Sequence, residues 1–380
     1  MTSRPIQVLH VLPDLATGGG QKLVLDLAQA LRPHAEVQVA FLTGPEDLRN
    51  DFEQCGVPVH PLASSGTWGQ AQAVKGLVHL TRSHHIDVLH AHSSPDKHVT
   101  QAAGLITHRP VVEHLHVLRD HRTSDRPLGR RVRSKVRRVV GLVTVNRYIA
   151  ISTSVMEANA SALPRASERL VLIRNGIRLE SAPIPRHVGL PRGTAATGEH
   201  QLLWVGRLSA EKDVPQLLEM MSHLRRSHPR VELLLAGEGP ERQRIEREVV
   251  RLGLSGVVKL LGQRSDVSDL LALADVFVFT SISEGFGLAA AEAQAAGVPV
   301  VTYAIPAMTE IVEDDVTGVL VPDRDPLKLA SAVARLLDDP ELRTSMGQAA
   351  RSRAERLFDI TGTAEQLLAV YWQLTGRANV

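Results

Sequence analysis

The sequence predicts an α/β protein with two Rossmann-like, doubly wound parallel-sheet domains that face a cleft. Short apolar segments alternate with amphipathic helical segments along the chain, and this alternation gives parallel sheets with right-handed crossovers. The 380 residues exceed the size of one hydrophobic core, so two domains are expected. Such sheets bind ligands at the carboxyl ends of their strands, which places the expected site in the cleft.

Ten apolar segments are predicted to be buried strands, five in each half of the chain. Those of the first half are residues 6–12, 37–42, 87–91, 111–117 and 148–152. Those of the second half are residues 202–205, 231–236, 257–261, 276–279 and 299–302. Residues 183–199 contain prolines and glycines without apolar periodicity, as linkers do. The predicted domains are therefore residues 1–182 and 200–360, followed by a last helical segment, residues 361–380.

Composition excludes several classes of protein. Lys and Arg number 43 against 41 Asp and Glu, so the chain lacks the basic excess of a nucleic-acid-binding protein. The single Cys55 can form neither an intramolecular disulfide nor a thiolate metal cluster, which favours a reducing, cytoplasmic location. The first predicted strand begins at Ile6, which leaves no room for a signal peptide, and no apolar run approaches the roughly 20 residues that span a bilayer.

Residues 283–297 carry the strongest chemical signal. Glu284 and Glu292 stand eight residues apart, and Gly285 and Gly287 let the chain turn before an alanine-rich helix. A helix that begins there points free N–H groups and its positive dipole end at the loop, which suits a phosphate. The carboxylates can accept hydrogen bonds from hydroxyl groups. The pattern therefore predicts a sugar-nucleotide site; two solvated glutamates on an ordinary helix are the alternative.

A second motif opens the second half of the chain. Gly206 and Arg207 follow a predicted strand, and Lys212 comes five residues after the arginine. Two cations at the carboxyl end of a sheet can stabilise the negative charge that a leaving nucleoside diphosphate gains. A solvated surface pair is the alternative.

The Glu-x7-Glu run resembles the signature of family 4, the large family of retaining glycosyltransferases with GT-B fold. The resemblance implies that Glu284 contacts hydroxyls of the donor sugar and that Glu292 contacts those of the ribose. It places the backbone of Phe286, Gly287 and Leu288 near the distal phosphate. Arg207 and Lys212 would bind the donor diphosphate, although family members often have glycine where Asp213 stands.

Other segments extend the resemblance over most of the chain. Residues 175–177 and 236–241 match turns of the family that are interpreted as structural. In residues 261–266 the resemblance assigns Gln263 and Arg264 to the nucleotide base. The last helix is expected to cross back to the first, acceptor-binding domain, because the family has this arrangement, while the second domain binds the nucleotide sugar.

The glycines at 18–20 lie between the first predicted strand and a helix predicted over residues 22–31. Glycines allow the backbone to approach an anion closely. Their spacing is not the dinucleotide fingerprint, which disfavours a nicotinamide enzyme. By resemblance Gly19, with Gly20 beside it, meets the donor phosphates and sugar; a flexible loop is the alternative.

The chain has 17 histidines, of which a few follow predicted strands. The resemblance places His116 beside the sugar, with His114 on the same strand face as the reserve candidate. His90 and His92 are candidates for an acceptor pocket. Together with Glu113 these residues offer metal ligands, but no helical His-x3-His or cysteine set supports zinc, so no metal site is expected.

Two further segments are open to more than one interpretation. Asp323 and Asp325 form an Asp-x-Asp, the metal–nucleotide motif of the other glycosyltransferase fold, but are predicted to cap a helix instead. Residues 119–138 concentrate basic charge on a helical pattern with a valine stripe. That helix either binds anionic lipid or a phosphate-bearing acceptor, or packs its valines on the core. The basic residues are Arg119, Arg122, Arg126, Arg130, Arg131, Arg133, Lys135, Arg137 and Arg138.

We therefore interpret the sequence as a retaining, metal-independent glycosyltransferase without a further cofactor. It would move a sugar from a nucleotide-diphosphate-sugar donor to an acceptor hydroxyl in the synthesis of a cell-surface polysaccharide, glycolipid or glycosylated natural product. The predicted location is the cytoplasm or the inner face of the cell membrane. The predicted catalytic residues are His116, Arg207, Lys212 and Glu284. A nucleotide-sugar epimerase of similar fold and a non-catalytic nucleotide-sugar-binding protein remain alternatives.

Overall fold

The computed structural model describes residues 4–62, 67–92, 94–116, 141, 143–162, 164–179 and 200–377. Residues up to Gly176 together with those from Ile360 onward form one compact unit, here unit 1, and residues Ile177–Asp359 form unit 2. The predicted linker and the basic segment 119–138 lie outside the described residues. None of the described helices is long and apolar enough to cross a membrane.

Unit 1 contains a parallel sheet of seven strands in the order β3-β2-β1-β4-β5-β6-β7. The central strands are buried on both faces because helices cover them, which explains their continuous apolar sequences. The strands are β1 (Ile6–Leu12), β2 (Ala35–Phe41), β3 (Val59–Pro61), β4 (Val88–Ala91), β5 (Val111–Leu115), β6 (Val145–Ala150) and β7 (Leu170–Leu172).

Helices connect these strands, and the last helix of the chain joins the same unit. The connecting helices are α1 (Gly19–Leu31), α2 (Arg49–Gln54), α3 (Thr67–Ser83), α4 (Ser94–Thr107) and α5 (Thr153–Ala162). The last helix runs over Ile360–Thr375 and is α13 once the helices of unit 2 are counted. Its Tyr371 side chain is buried in unit 1, and Arg377, just beyond the helix, forms an ion pair with Asp87 at 3.2 Å.

Unit 2 contains a parallel sheet of six strands in the order β10-β9-β8-β11-β12-β13. The strands are β8 (His200–Val205), β9 (Val231–Ala236), β10 (Val258–Gly262), β11 (Val276–Phe279), β12 (Val300–Tyr303) and β13 (Gly318–Val321). The helices are α6 (Val214–Leu224), α7 (Arg242–Arg251), α8 (Val267–Leu273), α9 (Leu288–Ala295), α10 (Pro306–Ile311), α11 (Pro326–Asp338) and α12 (Pro340–Leu357).

The strand order of each sheet reverses at one place, between β1 and β4 in unit 1 and between β8 and β11 in unit 2. At such a switch point the connections on either side leave in opposite directions, so the carboxyl ends of the two strands border a crevice that binds ligands. The loops after these four strands are therefore where a site is expected in each unit.

The structure confirms the predicted fold class and the ten predicted strands to within three residues at their ends. Three short strands were missed, β3, β7 and β13. The helix predicted from residue 22 begins at Gly19, with Gly18 as its N-cap. Gly19 and Gly20 therefore form the first turn of α1 rather than a loop, because the exposed end of a helix accommodates glycine at little cost.

Candidate functional site

Two loops of unit 2 meet at its switch point, one after β8 and one after β11. Lys212, at the end of the first loop, forms an ion pair with Glu284 in the second. The Lys212 ammonium also lies 5.2 Å from the centre of the Phe279 ring, a cation–π contact. Both charged side chains are largely buried, with 18% and 13% of their surfaces exposed. The pair is thus held partly away from water, where its charges interact strongly.

Hydrogen bonds to backbone carbonyl groups fix the two loops to each other. The Thr280 hydroxyl donates to the carbonyl oxygen of Lys212 at 3.0 Å, and the amide of Ile282 donates to the carbonyl of Glu211 at 2.8 Å. The loops that follow β8 and β11 therefore hold Lys212 and Glu284 in contact.

Asp213 has a backbone conformation that favours glycine. Its backbone is left-handed, with φ 45° and ψ 49°, a conformation that glycine adopts freely and aspartate tolerates. The Asp213 carboxylate forms an ion pair with Arg324, whose guanidinium lies 5.1 Å from the centre of the Tyr303 ring. The aspartate at this position forms a salt bridge with Arg324, which a glycine could not form.

The N-terminus of α9 lies directly after the β11 loop. Gly287 has φ 104°, and a Cβ atom there would lie 2.2 Å from Met308 Cε, so only glycine fits. The N-cap residue of this helix is Gly287 itself, which has no side chain to cap it, and the first amides of a helix have no partner within it. The Phe286 side chain is buried in an edge-to-face contact with Phe358. Its side chain is therefore not available to a ligand, which leaves its backbone.

The other predicted residues of unit 2 lie near the same end of the sheet. Arg207 is exposed one residue after Gly206, and Gln263 is exposed just beyond β10. The Arg264 guanidinium forms an ion pair with the neighbouring Asp266, so it is already neutralised. Glu292 is partly exposed on the second turn of α9. The structure brings Lys212 and Glu284 into contact, places Arg207, Gln263 and Arg264 on loops at this end of the sheet, and places Glu292 on α9.

The Asp-x-Asp motif caps a helix, as predicted. Asp325 accepts a hydrogen bond from the amide of Leu327 at 2.8 Å and is the N-cap of α11. Asp323 forms an ion pair with Lys328 on the same helix. Both carboxylates therefore have structural roles.

Unit 1 has a second cluster of polar side chains at its switch point. Five histidines, here the histidine array, come from the ends of β1, β4 and β5: His10, His90, His92, His114 and His116. His10 Nδ1 lies 2.8 Å from His92 Nε2, and His92 Nδ1 lies 3.3 Å from His116 Nε2. These three rings form one row linked through their nitrogens.

A second row of rings lies beside the first. His114 Nδ1 lies 3.2 Å from His90 Nε2, and His90 Nδ1 lies 2.6 Å from the Tyr371 hydroxyl on α13. His114 and His116 are nearly parallel, with ring centres 4.7 Å apart. Each neutral imidazole has one N–H donor and one acceptor nitrogen, so both rows can be satisfied along their length by uncharged rings.

Burial keeps the array uncharged. It lowers the pKa of His10 to about 3, and burial together with the nearby Lys97 lowers the pKa of His116 to about 3. The pKa values of His90, His92 and His114 are also lowered well below the usual value, first by burial and then by neighbouring histidines. A charged imidazole in this position would lose its hydration and meet other rings that could also be charged.

The sequence identified four of these five histidines but not their arrangement. His10 was missed, although β1 pairs with β4 so that His10 lies opposite His90; aligning the predicted strands would have found it. Glu113, considered with them as a ligand, points to the other face of β5 and contacts Lys97 and Gln101. His90 and His92 are buried, which does not favour an acceptor pocket.

Comparison with known proteins identifies the family. The model for "Glycosyltransferase Family 4" matches residues 17–181, and that for "Glycosyl transferases group 1" matches residues 191–353. Glycogen synthase of Mycobacterium tuberculosis is 34% identical over 298 residues, which cover 76% of this chain and 70% of the relative. The chain belongs to the family 4 glycosyltransferases, of GT-B fold.

Other relatives of this glycosyltransferase carry different names. The D-inositol 3-phosphate glycosyltransferase of Kineococcus radiotolerans is 30% identical over 343 residues, covering 83% of this chain and 78% of the relative. Among solved structures, HepE of Anabaena in complex with UDP-glucose has a TM-score of 0.84 at 23% identity, covering 97% of this chain and all of that one. The structural likeness at this identity supports the fold.

Proposed function

We propose that this glycosyltransferase transfers a sugar from a nucleoside-diphosphate donor to an acceptor hydroxyl with retention of anomeric configuration. The observation that carries the proposal is the contact between Lys212 and Glu284 next to the uncapped N-terminus of α9. A cation, a carboxylate and free amides at one switch point suit a diphosphate and a sugar hydroxyl.

The nature of the donor is supported by the names of similar proteins. HepE of Anabaena was crystallised with UDP-glucose, so a uracil nucleotide is the first donor to test here. In this assignment Glu284 binds the sugar and Glu292 the ribose, while Gln263 and Arg264 contact the base. Since Arg264 already pairs with Asp266, its contact requires that this exposed pair opens.

The chemistry needs no protein nucleophile in this proposal. The acceptor hydroxyl attacks from the face that the diphosphate leaves and gives its proton to a phosphate oxygen of the leaving group. Arg207, Lys212 and the α9 N-terminus stabilise the charge that develops there. Glu284 holds the sugar. Gly19, Gly20 and His116 of unit 1 stay predictions from the family resemblance.

Transfer is proposed to be independent of metal ions. Lys212, Arg207 and the helix N-terminus supply the positive charge that Mg²⁺ supplies in other enzymes, and the Asp-x-Asp carboxylates cap and pair with α11. The proposed acceptor belongs to a cell-surface polysaccharide, a glycolipid or a natural product. A cytoplasmic location, with or without contact at the inner face of the membrane, stays a prediction.

A screen of donors and acceptors tests this function. Purified protein in chelator is mixed with a panel of nucleotide sugars, and binding is read by thermal shift and products by mass spectrometry. We expect one nucleotide class to raise the melting temperature and a glycosylated acceptor to form. A product that is an isomer of the donor, formed without acceptor, would instead support the epimerase alternative. Binding without turnover for any acceptor would support the non-catalytic one.

A further inference from the structure

We propose that His92, His114 and His116 bind one divalent ion of the late first transition series, such as Zn²⁺, Ni²⁺ or Cu²⁺. These ions prefer imidazole nitrogen as a ligand. The three histidines offer ligand nitrogens that all lie within 4.8 Å of one another. They project from the ends of the neighbouring strands β4 and β5, which are rigid supports for a site.

One distance in the cluster fits two ligands of one metal ion as well as it fits a long hydrogen bond. His92 Nδ1 and His116 Nε2 are 3.3 Å apart, whereas N–H hydrogen bonds are most often about 2.9–3.0 Å long. Two nitrogens bound to one tetrahedral ion at about 2.0–2.1 Å are separated by roughly 3.3–3.4 Å. These two nitrogens are therefore already spaced as ligands of one ion.

The third ligand is a buried nitrogen that needs a partner. Among the described residues, His114 Nε2 is buried without a hydrogen bond of acceptable geometry, and the Asn175 side chain lies close enough to this ring to act on its pKa. A buried nitrogen without a partner costs stability. Coordination of a metal ion by this nitrogen would remove that cost. Coordination by Nε2 leaves His114 Nδ1 to carry the proton.

The two remaining histidines then serve as outer partners of the ligands. A metal-bound imidazole usually donates its other N–H to a neighbouring group, which fixes its tautomer. His92 Nε2 can donate to His10 Nδ1 at 2.8 Å, and His114 Nδ1 can donate to His90 Nε2 at 3.2 Å. His90 in turn reaches Tyr371 through Nδ1. A metal site thus gives donors and acceptors to His92, His114 and His90, while the proton of His10 then lies on its buried Nε2, for which the described residues offer no partner.

Access distinguishes this triad from a second one. His10, His90 and His92 also offer nitrogens within the same distance, but all three are buried. His116 is partly exposed, so an ion can reach the triad that contains it. Besides burial, the nearby Lys97 ammonium still lowers the pKa of His116, and its contact with Glu113 at 3.6 Å reduces the repulsion that a bound cation would meet. The proposal is independent of the transfer reaction, because the ion need not take part in chemistry.

The test measures metal binding rather than activity. The full-length protein is stripped with a chelator, desalted and titrated with Co²⁺ and Zn²⁺, followed by metal analysis after gel filtration. We expect one ion per chain and the visible Co²⁺ spectrum of a nitrogen-bound site. The variants His116→Asn and His114→Asn should lose this ion, and His10→Asn should weaken binding about 10–100-fold. His79→Asn, an exposed histidine of the same unit, should bind like the parent.

Several results would overturn the proposal. One is a parent protein that retains no ion, and another is retention of the ion by both the His114 and the His116 variants. A third is loss of the ion by the His79 control to the same extent as by those variants. Loss in His10→Asn with full binding in His116→Asn would place the ion in the buried triad and contradict the assignment. Circular dichroism checks that each variant is folded, and the partly exposed His116 gives the variant least prone to misfolding.

Discussion

At the scale of single residues, the ion pair between Lys212 and Glu284 links the proposed leaving-group site to the sugar site. The free protein satisfies the ammonium with a carboxylate, so a donor meets a cation that is already positioned. A preorganised charge of this kind stabilises a developing charge without rearrangement. In this account Lys212 stabilises the leaving group because of its position in the loop. The sequence motif alone could not establish that position.

Replacing either cation should therefore affect turnover more than binding. Lys212→Ala and Arg207→Ala should each lower the rate by about 10², the loss expected for one contact made to developing charge, with a smaller effect on donor affinity. Steady-state kinetics and calorimetry separate the two effects. Lys259→Ala, which breaks an ion pair with Glu232 in the same unit, is the control. Parental turnover in both site variants would remove these cations from the mechanism.

The two glutamates should have separable roles. Glu284→Gln should lower turnover and reduce discrimination among donors that differ in sugar hydroxyls, because a largely buried carboxylate discriminates strongly. Glu292→Gln should weaken binding of the free nucleoside diphosphate, since the ribose belongs to that ligand and the sugar does not. Calorimetry with the diphosphate alone measures this. Weakening by the first variant and not by the second would reverse the assignment.

At the scale of elements, the start of α9 depends on one glycine. Gly287→Ala introduces a Cβ atom at φ 104°, which strains the backbone at the helix N-terminus, and against the end of the buried Met308 side chain, which must move. Gly253→Ala is a matched control, because it has φ 66° but nothing within 4 Å of the new atom. We expect about 1 kcal/mol of destabilisation for the control. We expect a larger loss, with weakened diphosphate binding, for Gly287→Ala.

Denaturant unfolding and calorimetry measure both variants of this pair. Equal stability loss and unchanged diphosphate affinity in Gly287→Ala would contradict the role given to the helix N-terminus. Loss of affinity in Gly253→Ala would show that a positive φ anywhere in unit 2 disturbs binding, and the comparison would then carry no information about α9.

Elements differ in how well the sequence predicts them. The long strands β1 and β9 are mostly apolar because both of their faces are covered, and their bounds were predicted without error. The missed strands β3, β7 and β13 have only three or four residues and lie at or near sheet edges, where pairing rather than composition defines them. The side-chain contact between Lys212 and Glu284 depends on the conformations of two loops and could not be inferred, whereas the approach of His10 to His90 follows from the pairing of β1 with β4.

At the scale of the whole molecule, α13 ties the end of the chain to unit 1. The Tyr371 hydroxyl contacts His90 Nδ1 at 2.6 Å, and both groups are buried. Tyr371→Phe should leave that nitrogen unpaired and destabilise unit 1 by about 1–3 kcal/mol, with little effect on unit 2. Hydrogen exchange resolved by segment measures this. An equal loss of protection from hydrogen exchange in both units, or no loss in either unit, would contradict this prediction.

The central claim concerns the reaction itself, and nuclear magnetic resonance of the first product tests it most directly. With the donor and acceptor that the screen finds active, in the presence of chelator, the coupling of the anomeric proton reports the configuration of the new bond. We predict the same configuration as in the donor and an unchanged rate without metal. A product of opposite configuration, or a reaction that stops in chelator and resumes with Mg²⁺, would contradict the account.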